Sequence, residues 1–385
     1  MTAPQATAGP GRVDLLMRVD LLDRVRDEWR ALAERAGVPF TTPEWHQAWL
    51  ANHPAARPVV AVVRDARGTA RGVLAMVQSR RNGLRVLHFA GDELGDAFGP
   101  VCADGVAERE VGRLVGEAIG ASGLRWDMVM LGHVDEEVGW HRDFRAALPG
   151  SIASIERRRI EAPSIEDAGD TWVAYLEGRR RTVRKETRRR RRRIEEDETH
   201  GFRSADASSA TADTDTLFHL HDLRWDDRGG SSIESPAARA TLADFNLAAA
   251  ERGWLQLWLL DLDGAPAAAE LAWRLGGRQT HFQGGFDPEH ASRGVGIVLF
   301  ARALEDGFEN GVRHFDLGQG TAAYKMEFAS GMRVATTVML VRSWSPLRPA
   351  VSGAMLARKG LKAVPAERLA PLRAGVARAR ARLRR

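Results

Sequence analysis

WLQLWLLDLDGAPAAAELAWRLGGRQTHFQGGFDPEHASRGVGIVLFARALEDGFENGVRHFD, residues 254–316, is where the fold can be read. Three apolar runs, WLQLWLLD, AAAELAWRL and QTHFQGGF, are parted by turn signals at Gly264 and at Gly276-Gly277, which predicts three antiparallel strands. A helix from about 295 to 309 follows, and after Gly311 the segment from Arg313 to Leu317 reads as a further strand. The same plan stands upstream: PVVAVVRD, a turn at Gly68, GVLAMVQS, a turn at Asn82-Gly83, LRVLHFAG, a helix near 106 to 121, Gly123 and a strand from Trp126 to Leu131. Corresponding turns lie 196, 194 and 188 residues apart, which points to a duplicated unit.

Around these cores the chain is mostly helical. Leu22, Val25, Trp29, Leu32 and Ala33 mark an amphipathic helix over 19–36, and Thr42-Pro43 opens a second. Pro163 to Asp170 reads as a linker, and Trp172 to Glu198 as one long helix with a narrow stripe at Trp172, Leu176, Val183, Thr187 and Ile194. The expected organisation is a first domain over 13–162, a second over 163–345 and a basic tail over 346–385 with helical character.

The charge distribution says more than the total. The chain of 385 residues has 56 Lys/Arg and 51 Asp/Glu, but residues 179–193 and 348–385 each hold 11 of the bases and a single acid. The remainder carries 34 bases against 49 acids, so the body is acidic. The run Arg188 to Arg193 lacks interleaved aromatics, and Arg191 to Arg193 face Glu195, Glu196 and Asp197 at four-residue spacing. That favours a salt-bridged helix over a nucleic-acid grip. The tail fits peripheral contact with an anionic membrane. Cys102 is the only cysteine, which excludes an intrachain disulfide framework, and the chain shows neither a signal-peptide pattern nor an apolar run of spanning length. These features predict a cytoplasmic protein. No triad order, metal-ligand spacing or Walker loop is present, so no metal is expected.

SRGVGIVLF, residues 292–300, places glycines just ahead of a predicted helix, where free N–H groups and the helix dipole suit an anion such as a pyrophosphate. Glu270 stands alone in an apolar strand, where an unpaired carboxylate is costly unless paired or used. The stretch from Trp254 to Arg333, with FQGGFDPEHASRGVG, GVRHFDLGQG and AAYKMEFASGMR, resembles the BioF2-like or CelD-like branch of the GNAT acetyltransferase superfamily, itself similar to the Fem-type aminoacyltransferases. More loosely the resemblance reaches back through LHDLRWDDRGG to TPEWHQAW, while FDLGQG departs from the family's F-D-x-x-R-G-D run.

The resemblance implies an α/β (α+β) fold of two tandem GNAT-like mixed-sheet domains with flanking helices. It also implies an acyl-CoA co-substrate held at Arg293, Gly294, Val295, Gly296 and Ile297, in the second half only, because DELGDAFGP replaces the glycine loop in the first. Candidate catalytic groups are Glu270 as base, His281 as base through water, Asp316 on the strand face of His314, Tyr324 as donor to the leaving thiolate and Lys325 as oxyanion partner. Asp96, Phe98, Arg224 and Trp225 lie in segments that resemble acceptor-facing loops. The implied reaction is acyl transfer to an amine, such as an amino sugar or an envelope or exopolysaccharide precursor. A Fem-type transferase using aminoacyl-tRNA and a catalytically silent GNAT-like binding module stay open.

Overall fold

A computed structural model describes residues 10–166, 169, 171–196, 199–225 and 233–342. The first half runs β1 (Pro10–Leu16), α1 (Arg26–Ala36), α2 (Pro43–Ala51), β2 (Arg57–Asp65), β3 (Ala70–Arg81), β4 (Leu84–His88), β5 (Val101–Cys102), α3 (Glu108–Ala121), β6 (Met128–Asp135), α4 (Trp140–Ala147) and β7 (Ile152–Ile165). The second runs α5 (Trp172–Glu177), α6 (Arg181–Glu195), β8 (Gly201–Ser204), α7 (Ala210–Trp225), α8 (Pro236–Glu251), β9 (Leu255–Leu262), β10 (Ala265–Leu275), β11 (Arg278–Phe286), α9 (Val295–Glu309), β12 (His314–Asp316), α10 (Ala323–Phe328) and β13 (Gly331–Arg342).

The two halves repeat one plan. β2, β3 and β4 form a meander, as do β9, β10 and β11. Each third strand then pairs in parallel with the strand that follows the helix, β4 with β6 and β11 with β12. The turn glycines matched in sequence, Gly68 and Gly264, Gly83 and Gly277, Gly123 and Gly311, all sit at positive φ. A parallel pairing needs a crossover, which α3 and α9 supply.

Two separate sheets were the expectation, and the structure fuses them. The described strands form one sheet in the order β1-β2-β3-β4-β6-β13-β7-β12-β11-β10-β9-β8, with β5 attached to β3. The final strands of the halves are exchanged: β13 lies against β6 of the first half, and β7 against β12 of the second. Because β7 and β13 also pair with each other along their lengths, neither half completes its sheet alone. The boundary at 162/163 therefore falls within β7, and Pro163–Ile165 is strand rather than linker. The single helix expected over 172–198 is two, α5 and α6. Gly178 caps α5 by returning its N–H to the carbonyls of Ala174 and Tyr175. The tail from 346 lies outside the described residues, among which no helix is long and apolar enough to cross a membrane.

A shared aromatic core joins the halves. Trp45 of α2 meets Phe245 of α8 at 5.1 Å between ring centroids, and Phe40 meets Trp273 of β10 at 5.7 Å. All four rings are buried, each contributing about 1.5–3 kcal/mol relative to an exposed side chain. Buried Glu44 of α2 binds Arg30 at 2.6 Å within its half and Arg252 at 2.9 Å across the junction.

Candidate active site

The site is built where β11 parts from β12. The two pair only over Arg278–Thr280, so the rest of β11 opens a wedge between strands. A register slip opposite Leu271 and Ala272 inserts Phe282 as an extra residue. As a result His281 and Gly284, three apart, both meet the Glu270 carboxylate, although unbroken alternation would send them to opposite faces. A side chain at Gly284 would collide with that carboxylate.

Gly294 caps α9 at φ 73, a conformation that favours glycine, and the N–H groups of Ile297 and Val298 turn back to its carbonyl. The helix opening faces a cavity of about 200 Å³ lined by Gly294 to Ile297, Phe286, Arg190, Arg224, Glu270 and Tyr324. Arg190 of α6 lies alongside Gly294, where an added Cβ would stand 3.3 Å from its Nη1. This arginine belongs to the run expected to be salt-bridged, and it does bind Glu186 at 2.7 Å. Its helical position was nonetheless available, three residues after Thr187 and four before Ile194 on the docked stripe.

Behind Glu270 runs a buried chain of polar groups. Arg274 pairs with Asp306 of α9 and donates from Nη2 to Gln279 Oε1 at 3.1 Å. That fixes the amide, so Gln279 Nε2 donates to Ala303 O at 3.0 Å and faces His281 Nε2 at 3.1 Å. His281 Nε2 is then an acceptor, and its proton sits on Nδ1, which donates to Glu270 Oε1 at 3.1 Å. With both ring nitrogens engaged, His281 holds Glu270 in place and has no free nitrogen for a water, contrary to the base role expected of it. Arg274 and Gln279 escaped the sequence reading. Their signal was a pair of polar residues directly opposite each other in the apolar β10–β11 hairpin.

Tyr324 and Lys325 lie in the first turn of α10, on the open side of the wedge. The Tyr324 ring packs edge-on to Phe300 at 5.2 Å. Burial, reinforced by the charge of Glu270, pushes its hydroxyl up to about 12, which keeps the proton in place. Lys325 is shifted down by burial against the pull of Glu270, Asp96 and Asp316, and its Nζ donates to Gln319 O at 2.9 Å. Gly318 sits between His281 O and this ammonium, with room for no side chain.

Asp96 crosses from the first half to accept the Gln319 N–H at 3.1 Å and the Gln319 amide. Burial pushes its carboxyl up to about 6, although the Gln319 hydrogen bond pulls the other way. Asp316 is taken up by Arg333 at 2.7 Å and by the Gly318 N–H at 2.8 Å, so its two oxygens are engaged in holding the chain rather than facing the cavity beside Glu270. His314 turns instead to Glu166 at 3.0 Å. Arg224 donates to Gly284 O at 2.8 Å and lies over the Phe286 ring, inside the cavity wall. Phe98 stacks on Phe89 at 4.9 Å and belongs to a different wall, described below. Trp225 ends α7, and its side chain lies outside the described residues. Arg293 precedes Gly294 at the end of a short 3-10 turn.

Residues 181–326 match the family model described as Acetyltransferase (GNAT) domain. The match assigns those residues to a GNAT acetyltransferase domain, and it falls on the half that holds the cavity. Among solved structures it is similar to FemX, at TM-score 0.61 and 11% identity over 85% of this chain and 98% of that one. It is also similar to the C-terminal DUF2156 domain of a protein described as a lysylphosphatidylglycerol synthetase from Agrobacterium fabrum, at TM-score 0.53 and 12% identity over 87% and 96%. A conserved protein of unknown function from Bacteroides thetaiotaomicron VPI-5482 matches at 0.51 and 11% identity, over 86% and 100%. At such identities the likeness is one of fold. No curated protein matches the chain by sequence.

Proposed function

We propose that the protein is an N-acyltransferase that moves an acyl group from acyl-CoA to an amine. One observation carries this reading: a buried carboxylate, Glu270, and a protonated tyrosine, Tyr324, line the same cavity as a glycine-opened helix terminus. The N–H groups of Val295 and Gly296 and the Arg190 guanidinium suit the CoA pyrophosphate, with Arg293 beside them. The neutral acceptor amine attacks the thioester carbonyl; the N–C bond forms, the C–S bond breaks, the amine proton passes to Glu270 and Tyr324 protonates the thiolate. Lys325, next to Tyr324 in the first turn of α10, is the ammonium assigned to the carbonyl oxygen as it gains charge.

GNAT proteins generally draw on acyl-CoA, and the cavity adds an anion-ready helix end to that expectation. The aminoacyl-tRNA reading loses support, since the α6 arginines are engaged within the protein: Arg189 and Arg190 with Glu186, Arg191 with Glu195 and Glu305, Arg192 with Glu196. The resemblance favours an amino sugar or envelope precursor as acceptor. The basic tail is proposed to touch anionic membrane from the cytoplasmic side, and deletion of 348–385 should reduce sedimentation with anionic vesicles at low salt while leaving turnover intact.

The test is thiol release from acetyl-CoA with the full-length protein and a panel of amines. Amine-dependent release that collapses in Glu270→Gln supports the reading. Absence of acetyl-CoA binding in the millimolar range by calorimetry overturns it.

A further inference from the structure

A second cavity, of about 470 Å³, lies between the halves, walled by the loop after α1, the 97–101 segment, the start of α3, the end of β6 and the strands β7 and β12. Most charges on its wall are already matched. Arg333 binds Asp316, Arg35 binds Asp104 at 2.5 Å, and Glu166 binds His314. Three are not: Arg278 of β11, which is exposed, and two carboxylates. Glu108, the first residue of α3, and Asp135, the last of β6, have no ion pair among the described residues, and Asp135 uses only Oδ1, for the N–H groups of Glu137 and Val138. Burial, and then the charge of Asp135, pushes the Glu108 carboxyl up to about 7.

His133 supplies a third acceptor. A register slip in the β6–β13 pairing leaves Gly132 and His133 bulged, with His133 at φ 51. Positive φ is uncommon outside glycine, and histidine is one of the few residues, with Asn and Asp, that adopt it. The buried imidazole donates from Nδ1 to Gly95 O at 2.5 Å, which leaves Nε2 as an acceptor, and burial holds its proton affinity below the ordinary value.

We propose that this cavity is a subsite for a small organic ammonium, which gives its three N–H donors to Glu108, Asp135 and His133 Nε2. The group that fits has three donors and one positive charge. Two carboxylates and a neutral imidazole complement it, whereas an anion would meet uncompensated like charge.

The subsite adjoins the reaction centre. Asp96 is tied to Gln319, whose carbonyl holds Lys325, and the next residues, Ala97 and Phe98, wall the new cavity. Resting on the acyltransferase reading, the occupant is an acceptor with two amines, one neutral and acylated beside Glu270, the other charged and anchored here. The ammonium subsite itself does not depend on that reading.

The probes are 1,4-diaminobutane and butane-1,4-diol, titrated into the full-length protein without CoA and followed by calorimetry. The diamine should bind at least 10-fold more tightly than the diol. Glu108→Gln and Asp135→Asn, each near-isosteric, should weaken diamine binding 10-fold or more with folding checked by thermal melting. His133→Asn, which tolerates the positive φ, serves as an independent third variant. Glu117→Gln, an exposed carboxylate of α3 that pairs with Arg113 and does not line the cavity, should leave diamine binding unchanged. Equal affinity for diol and diamine, or diamine binding that survives both Glu108→Gln and Asp135→Asn, overturns the proposal. Diamine binding that depends on Glu108 in a protein that takes no acetyl-CoA would retain the subsite and remove the acyltransferase reading.

Discussion

The crossover helices α3 and α9 hold equivalent places in the two halves, yet they open in opposite electrostatic senses. α9 begins Gly294-Val295-Gly296 beside Arg190, so its first turn presents backbone donors and positive charge. α3, preceded by Ala107 as its cap, carries Glu108 and Glu110 in its first turn, which already satisfy the dipole from within. The wedge beside β11 stays open, while the matching gap of the first half is closed by Phe98, whose backbone bridges Val134. Duplication supplied two such gaps, and only one stays open and fit for an anion, while a separate cavity lies between the halves. That cavity offers carboxylates to a cation.

The sharpest way to break this contrast is to convert the anion end. Gly296→Glu places a carboxylate at the α9 opening, and the existing 3.1 Å approach of Phe286 to a Cβ there leaves it little room to turn away. Acetyl-CoA affinity should fall on the order of 100-fold or more, through like-charge repulsion in a desolvated site. The mirror change, Glu108→Gln, should leave it within about twofold. Calorimetry on both variants decides, and equal losses would end the distinction between the clefts.

Chemistry comes next. Glu270→Gln keeps shape and the contact with His281 but loses basicity, so kcat should fall roughly 100- to 1000-fold with little change in acetyl-CoA affinity. Lys325→Met should lower kcat about 100-fold by removing a donor needed most in the transition state, and Arg should rescue only partly because its planar fork places donors differently. Retention of near-native kcat in the Met variant would demote Lys325 to an anchor for the Gln319 loop.

Much of this contrast was legible in the sequence. Both meanders and their turns came from period-two apolar runs and glycines, signals that are local. Glu270 stood out as a lone carboxylate in AAAELAW, and the glycine pair before α9 marked the anion end. The exchange of β7 and β13 was hidden because strand pairing is non-local, and either strand reads as well beside one partner as beside the other. The relay from Asp306 to Glu270 was hidden for a related reason: each member is unremarkable alone, and only the hairpin register sets Arg274 against Gln279. Asp316 was read as a candidate acid–base group, but its ion pair with Arg333 depends on a strand 17 residues later that crosses to the other half.

The smallest expected effect concerns the stability of the cation end. The Glu108 carboxyl is raised from an ordinary value near 4.5 to about 7 in the folded state. A raised acid binds its proton more tightly when folded, so its contribution to stability is fully present below about pH 4.5 and is lost as pH rises through about 7. Glu108→Gln cannot ionise, and it should flatten that part of the profile. After discount for partial solvent access, the variant should gain on the order of 1 kcal/mol over the native protein at pH 8 and nothing at pH 4. Melting temperatures of both proteins across pH 4 to 8 read this directly. Saturating 1,4-diaminobutane should shrink the gap at pH 8 by stabilising only the native protein, since a bound ammonium replaces the missing countercharge. A gap that persists unchanged with the diamine present would mean that Glu108 is merely a buried acid, and that the cavity between the halves takes no ammonium.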